Sequence, residues 1–425
     1  MAKRNRPRTS RRACLKAIGA GSVLATTGLA GCTGGGGGST ELKTAVLTPF
    51  SGSIGWLGPS TKQGAEVALA DLEETDGIDG VSDITVRSAD TERDPATAIQ
   101  VYQNLDAKDF DVVFGTTSTI MVSMLDTVNS VQLPVLTPGT TTRLNPVSSK
   151  WIWRTQSHDD VSGVAQALFA KEQFGDRIAV VTVNVRGPES FANAVAESYE
   201  ALGGTVVERM TIQSDADSYR SVIQELQGLD VDGVTLAAST DAAALFINNY
   251  NDVGASFPLI LSNDASAQSL LDKTGVTDMP TLYGQVSGAG PANEYFVNRF
   301  KEVHDADSIA SLSQQGYDSM LMILAAIQQA GEVSREGIVN QFGRQPEDAD
   351  PSVTNPPGTT VTKADNIKST LDSDGDIDLQ GASTTINFDE NQNLWGGIRV
   401  LSVQGGQWEV TETYSESTLR DSVSQ

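Results

Sequence analysis

The sequence predicts an α/β protein made of two doubly wound lobes of parallel sheet. Short apolar runs alternate with helical patterns from Glu41 onward, and the same rhythm starts again near Arg177. Apolar runs joined by helices imply parallel strands buried on both faces. The chain beyond position 40 also exceeds what one hydrophobic core usually supports, so two lobes are expected.

The first series opens with a strand at Thr44–Thr48 and a helix over Pro59–Glu74, whose buried face is Ala65, Val67, Ala68, Leu69 and Leu72. A strand at Ile84–Ser88 follows, and Asp94-Pro95 opens a helix with a cap and a first-turn proline. Val112–Phe114, Pro134–Leu136 and Trp151–Trp153 continue the strands. In the second series, strands are expected at Arg177–Asn184, Thr205–Ile212, Gly233–Ala238 and Pro258–Leu261. Helices over Glu189–Leu202, Tyr219–Leu229 and Ala242–Val253 connect them. Residues 343–382 read as a long polar insertion. Within it, Asp372-Ser373-Asp374-Gly375-Asp376-Ile377-Asp378 lacks the glycine and closing glutamate of an EF-hand, so a solvated acidic loop without metal is expected.

The N-terminus carries targeting information. Seven basic residues and no acid precede Ala17, and Ser10-Arg11-Arg12-Ala13-Cys14-Leu15-Lys16 looks like a twin-arginine export signal. The apolar stretch to Ala30 is too weak for a membrane span. It ends in Leu29-Ala30-Gly31-Cys32, which resembles a lipobox, and a glycine-rich tether of the kind an anchor needs follows. Residues 1–31 are therefore read as a lipoprotein signal, 32–40 as a tether, and Cys32 as the lipidated residue. Export by the twin-arginine route would leave the body anchored at the outer face of the cell membrane.

Removing that signal takes away seven basic residues and no acidic one, so the net charge of −25 becomes −32. Such a surface repels phosphate and excludes nucleic acid as a partner. Eleven lysines against eighteen arginines and 54 acids suggest a halophile, because molar salt shortens the Debye length to about 3 Å. The only two cysteines are Cys14 and Cys32, so the body holds no disulfide, no cysteine metal site and no thiol nucleophile. No phosphate loop, nucleophile elbow or dinucleotide fingerprint is present. No cofactor is expected, and a hydrolase is disfavoured for want of a triad or metal cluster.

A spread of motifs carries a family resemblance. Pro49-Phe50-Ser51-Gly52 and Trp56-Leu57-Gly58 follow the first strand, Gln63-Gly64-Ala65 lies in the first helix, and Asp90 and Asp94-Pro95 follow the second strand. Then come Phe114-Gly115-Thr116-Thr117-Ser118-Thr119, Leu136-Thr137-Pro138-Gly139-Thr140-Thr141, Gly316-Tyr317-Asp318 and Ile386-Asn387-Phe388-Asp389. In this order the chain from Lys43 to Val410 resembles the type I periplasmic binding proteins of the branched-chain amino-acid receptor family. The resemblance implies two lobes joined by three crossings, near Ser157-His158, Gln285-Val286 and Trp395-Gly396. Lobe 1 would be 41–157 and 286–396, and lobe 2 158–285, with 397–425 returning to lobe 2 as a tail.

It also implies a site in the cleft. Ser118 and Thr119, with amides at a helix start, would hold an α-carboxylate. Either hydroxyl would serve equally well as a helix cap. The Gly139 carbonyl and Thr141 would meet the ammonium, Asp264 would pair with it from lobe 2, and Trp56 and Leu57 would flank the side-chain end. Where many members have Tyr-Gly, this chain has Gly187-Pro188 preceded by Arg186, and Ser239-Thr240 replaces another aromatic. The pocket is thus wider or more polar than one for leucine, and an inward Arg186 would meet a second carboxylate. The implied function is a monomeric, non-enzymatic receptor that hands an amino-acid-like solute to the permease and ATPase subunits of an ABC importer. A sensory receptor's ligand-binding partner, or an importer receptor for amides or urea, are the alternatives.

Overall fold

The computed structural model describes residues 40–52, 54–147, 149–306, 308–342, 359–374, 377–389 and 391–423. The export signal, Cys32, the tether up to residue 39 and residues 343–358 of the polar insertion lie outside them; Thr40, read as the tether's end, is instead the first residue of the first strand.

The first sheet is laid down by β1 (Thr40–Thr48), α1 (Leu57–Leu72), β2 (Val81–Asp90), α2 (Pro95–Asp106), β3 (Val112–Phe114), α3 (Ser118–Val131), β4 (Val135–Thr137) and β5 (Ile152–Arg154). Its strands run parallel in the order β2-β1-β3-β4-β5. The chain then crosses to a second sheet. That sheet is built from α4 (Asp159–Gln173), β6 (Arg177–Val183), α5 (Arg186–Ala201), β7 (Thr205–Ile212), α6 (Arg220–Gln227), β8 (Gly233–Ala237), α7 (Thr240–Asp252), β9 (Leu259–Leu261), α8 (Gln268–Thr274) and β10 (Leu282–Ser287). Its parallel part, β10-β9-β8-β6-β7, repeats the winding of the first. Three-residue strands suffice because each is wholly buried: β3, β4, β5 and β9 expose nothing.

From β10 the chain returns to the first sheet with α9 (Asn293–His304), α10 (Ser313–Ala330) and α11 (Arg335–Gln341). Gly64 on α1 and Gly316 on α10 set this return. A Cβ at Gly64 would fall 1.7 Å from the Ser313 carbonyl oxygen, and one at Gly316 2.0 Å from that of Thr61. No side chain fits between backbones that close. Finally β13 (Ile398–Gln404) and β14 (Gln407–Tyr414) join β10 antiparallel, and α13 (Glu416–Val423) packs on α4. Thus the lobe-2 end of the chain is a paired hairpin and helix, more ordered than a tail.

Three local expectations change. Residues 359–379 are not a solvated loop: β11 (Thr359–Val361) and β12 (Ile377–Leu379) pair, with α12 (Ile367–Asp374) between them. Val361, Ile367, Ile377 and Leu379 are buried in the first lobe's core. Their apolar residues are too sparse among acids to reveal a periodicity. Ile386–Asp389, where the resemblance implies a terminal strand and turn, forms no strand and makes only a single bridge, from Phe388 to Leu394. Gly187-Pro188 sits in the first turn of α5 instead of a preceding loop.

Asp318 explains the late Gly-Tyr-Asp motif. Its buried carboxylate accepts from the Ala382 and Ser383 amides and the Ser383 hydroxyl, fastening α10 to the segment that leads to the last crossing. Burial pushes its pKa up to about 6 despite those bonds.

Candidate functional site

In a doubly wound sheet, the crevice lies at the C-terminal strand ends where the winding reverses. Here those reversals are β1/β3 and β6/β8. Each expected first-lobe residue follows a strand at or beside the first reversal.

After β1, Asp90 accepts from the Phe50 amide at 2.9 Å and holds the turn. Trp56 ends that turn half-exposed, at 50 %, whereas Leu57 is buried. After β3, Thr117 precedes α3 without any side-chain cap bond. The first bond of that helix runs from the Met121 amide to the Thr117 carbonyl, so the amides of Ser118, Thr119 and Ile120 have no intrahelical partner. The Ser118 hydroxyl does not cap either; it accepts from the Thr140 amide at 3.0 Å. Thr119 is exposed beside it.

That bond joins the β3 and β4 loops. Gly139 lets them meet: a Cβ there would lie 3.2 Å from the Ser118 Cα. Thr141 is buried, with its hydroxyl 3.4 Å from that of Ser190 on α5. The Thr142 amide also donates to Ser190, at 3.3 Å. The lobes therefore touch at the mouth of the crevice through Ser190, which sequence reasoning did not single out.

Behind this loop stands Arg154, only 2 % exposed. Its guanidinium donates to the carbonyls of Thr140 and Thr141 at 3.2 and 3.0 Å and to Asn145 Oδ1 at 2.8 Å. Desolvation lowers its pKa to about 10, with Asp159, Asp389 and Asp160 opposing.

From the second lobe comes Asp264, in the turn after β9. The Thr240 hydroxyl donates to its carbonyl at 3.0 Å, and Ser239 caps α7. These bonds are what the small polar pair at 239–240 does. Asp264 has an exposed surface, yet the surrounding protein desolvates its carboxyl enough to raise its pKa.

Asp159 completes the set and was also missed. It opens α4 at the first crossing, with its amide donating to the Thr140 carbonyl at 2.8 Å. Its buried carboxyl reaches the hydroxyls of Thr140 and Ser190. Desolvation pushes its pKa up to about 6, those hydroxyls pull it down, and the nearby Asp264 charge pushes it up again. Two carboxyls thus lie within electrostatic reach of each other, and Thr140 links Asp159 to Ser118 at the start of α3. Arg186 is exposed at the start of α5. Among the described residues, no group of three or more histidine, cysteine or carboxylate side chains is placed to bind a metal. No helix there is long and apolar enough to cross a membrane.

The comparisons agree with this architecture. The profile of the family described as Periplasmic binding protein matches residues 41–368. Leu/Ile/Val-binding protein homolog 8 of Brucella abortus is 22 % identical over 315 residues, which is 69 % of this chain and 77 % of that one. The leucine binding protein LivK of Thermotoga maritima superposes with a TM-score of 0.69 at 20 % identity, covering 88 % of this chain and 99 % of that one. A solute binding protein of R. palustris in complex with benzoate gives 0.64 at 17 %, covering 88 % and 97 %. With two like-wound sheets, a crevice at their facing strand ends and a family profile spanning most of its body, this chain belongs to the periplasmic binding protein family.

Proposed function

We propose that the chain is an extracellular receptor for an amino-acid-like solute, a branched-chain amino acid or a relative, which it delivers to the permease and ATPase of an ABC importer. The observation that carries this reading is the Asp159–Asp264 pair, with Thr140 linking Asp159 to Ser118 at the start of α3. An α-carboxylate suits the free amides of that helix start and the Thr119 hydroxyl, and an ammonium suits the two acids. The pair also separates an amino acid from a bare carboxylate such as the benzoate bound by the R. palustris protein, because two acids repel a lone anion. Calorimetry with free amino acids, amides and urea in molar salt tests the reading; binding of benzoate or urea in preference to every amino acid would overturn it.

The acid pair fixes a pH dependence. An ammonium needs ionised partners, so a ligand must displace any proton held by Asp159, whose pKa is about 6. Affinity should therefore fall as pH drops below 6, by about tenfold per unit for each proton released. Calorimetry between pH 8 and 5 in buffers of different ionisation heat reads both the affinity and the proton. A flat profile would remove the ammonium from the site.

Anchoring through Cys32 and export by the twin-arginine route belong to the same proposal, resting on Leu29-Ala30-Gly31-Cys32 and Arg11-Arg12. Each buried CH₂ of a lipid contributes about 0.8 kcal/mol, so stable attachment needs two chains. Cys32→Ser should release the protein into the medium; a variant that stays with salt-washed membranes would place the anchor elsewhere.

A further inference from the structure

We infer that Arg143 and Arg186 form the far end of the crevice and take a second carboxylate, so that the solute is an amino acid with an acidic side chain. This rests on the amino-acid reading above and narrows it.

Arg143 and Arg186 come from opposite lobes, on two elements that meet at Ser190. Arg143 lies in the 3₁₀ turn Thr142–Leu144, directly after Thr141 and Thr142, the residues that meet Ser190. Arg186 is the first residue of α5, four before Ser190 and hence on the same helix face. Neither arginine has a carboxylate within 4 Å among the described residues, although acids outnumber bases 54 to 29. Glu189, in the same turn of α5, does not close on Arg186. Some arginines do find acids, as Arg209, on β7, bonds Glu200 near the other end of α5 at 3.0 Å. Two guanidiniums on elements that meet could grip one anion from both lobes.

The surroundings leave room for that anion. No side chain caps the start of α5, and a Cβ added at Gly187 would meet nothing within 4 Å. The spacing also fits one molecule. Thr141 touches the ammonium end of the proposed site, and Arg143 stands two residues further on. A carboxylate two or three carbons beyond the α-carbon is within reach of a side chain as long as arginine. Planar forks of this kind suit carboxylates in two-point contact. The tyrosine-like residues that would wall an apolar pocket are absent here, and the arginine that replaces them has a task.

The test uses the full-length protein in molar potassium chloride, with glutamate and aspartate measured by calorimetry against glutamine and leucine. Glutamine matches glutamate in shape and differs in charge. Glutamate or aspartate should bind at least about tenfold tighter than glutamine. Arg143→Gln and Arg186→Gln should each remove most of that difference, leave glutamine binding unchanged, and be partly rescued by lysine. Tighter leucine than glutamate binding, or equal losses for glutamate and glutamine in the variants, would overturn the inference and leave the amino-acid reading standing. Equal losses would mean that the arginines serve lobe contact only. If no amino acid binds and Asp264→Asn changes nothing, the underlying reading itself has failed.

Discussion

Asp264→Asn should weaken amino-acid binding by about a hundredfold or more. The first-lobe groups at Ser118, Thr119, Gly139 and Thr141 are neutral, so they can hold a carboxylate but only partly balance an ammonium. Breaking a buried charge pair typically costs about 3–5 kcal/mol, and 1.4 kcal/mol is about tenfold. On the proposed reading Asp264 meets the solute from the second lobe, so its contact would reward closure of the crevice. Shifting an open–closed equilibrium from about 1:99 to 99:1 takes roughly 5.5 kcal/mol of differential affinity. A single interlobe ion pair supplies much of that. Thr119→Ala leaves the backbone amides in place and should cost less, about 1–3 kcal/mol. Calorimetry on both variants, with small-angle scattering to follow compaction, separates them. An Asp264→Asn protein that binds and compacts like its parent would show that no ammonium faces this residue.

Arg154→Met should lower both stability and affinity, and by more than any exposed arginine would. Its guanidinium holds two loop carbonyls and Asn145, and it offsets the Asp159 charge. Methionine fills much of the volume but leaves those oxygens buried without donors. The expected loss is about 3–5 kcal/mol in denaturant unfolding at high salt. Because the same loop presents Thr141 and receives the Asp159 amide, binding should weaken even under conditions where the variant is fully folded. Parent-like unfolding and affinity would mean that the loop holds its shape without the cation.

Much of the fold is legible in the chain because buried parallel strands are written as unbroken apolar runs. Val112–Phe114 and Leu259–Leu261 need no periodicity to be found. Asp94 and Pro95 announce α2 in the same local way, and the Asp94 side chain does accept from Thr97. The segment at 359–379 fails that test, since its buried residues are spread through acid and packed by distant helices. Half of the site behaves likewise. Ser118, Gly139 and Thr141 follow strands, and the family resemblance singles them out there. Asp159 reads as one of two acids in a helix's first turn, a common pattern that helix dipoles favour. Ser190 sits mid-turn on α5, and Arg154 ends a tryptophan-rich run. Their roles exist only where the two lobes touch, and no local pattern encodes that.

Asp318 and Asp159 give the scaffold and its site opposite responses to acid. Both carboxyls hold their protons to a pH near 6, well above the usual 3.8. The native chain therefore binds more protons than the unfolded one between about pH 4 and 6, and these two groups make it more stable as pH falls through that window. Recognition of an ammonium runs the other way, because the same proton on Asp159 removes its charge. In mildly acidic buffer these two groups favour the fold, while on the proposed reading the same proton on Asp159 works against the solute.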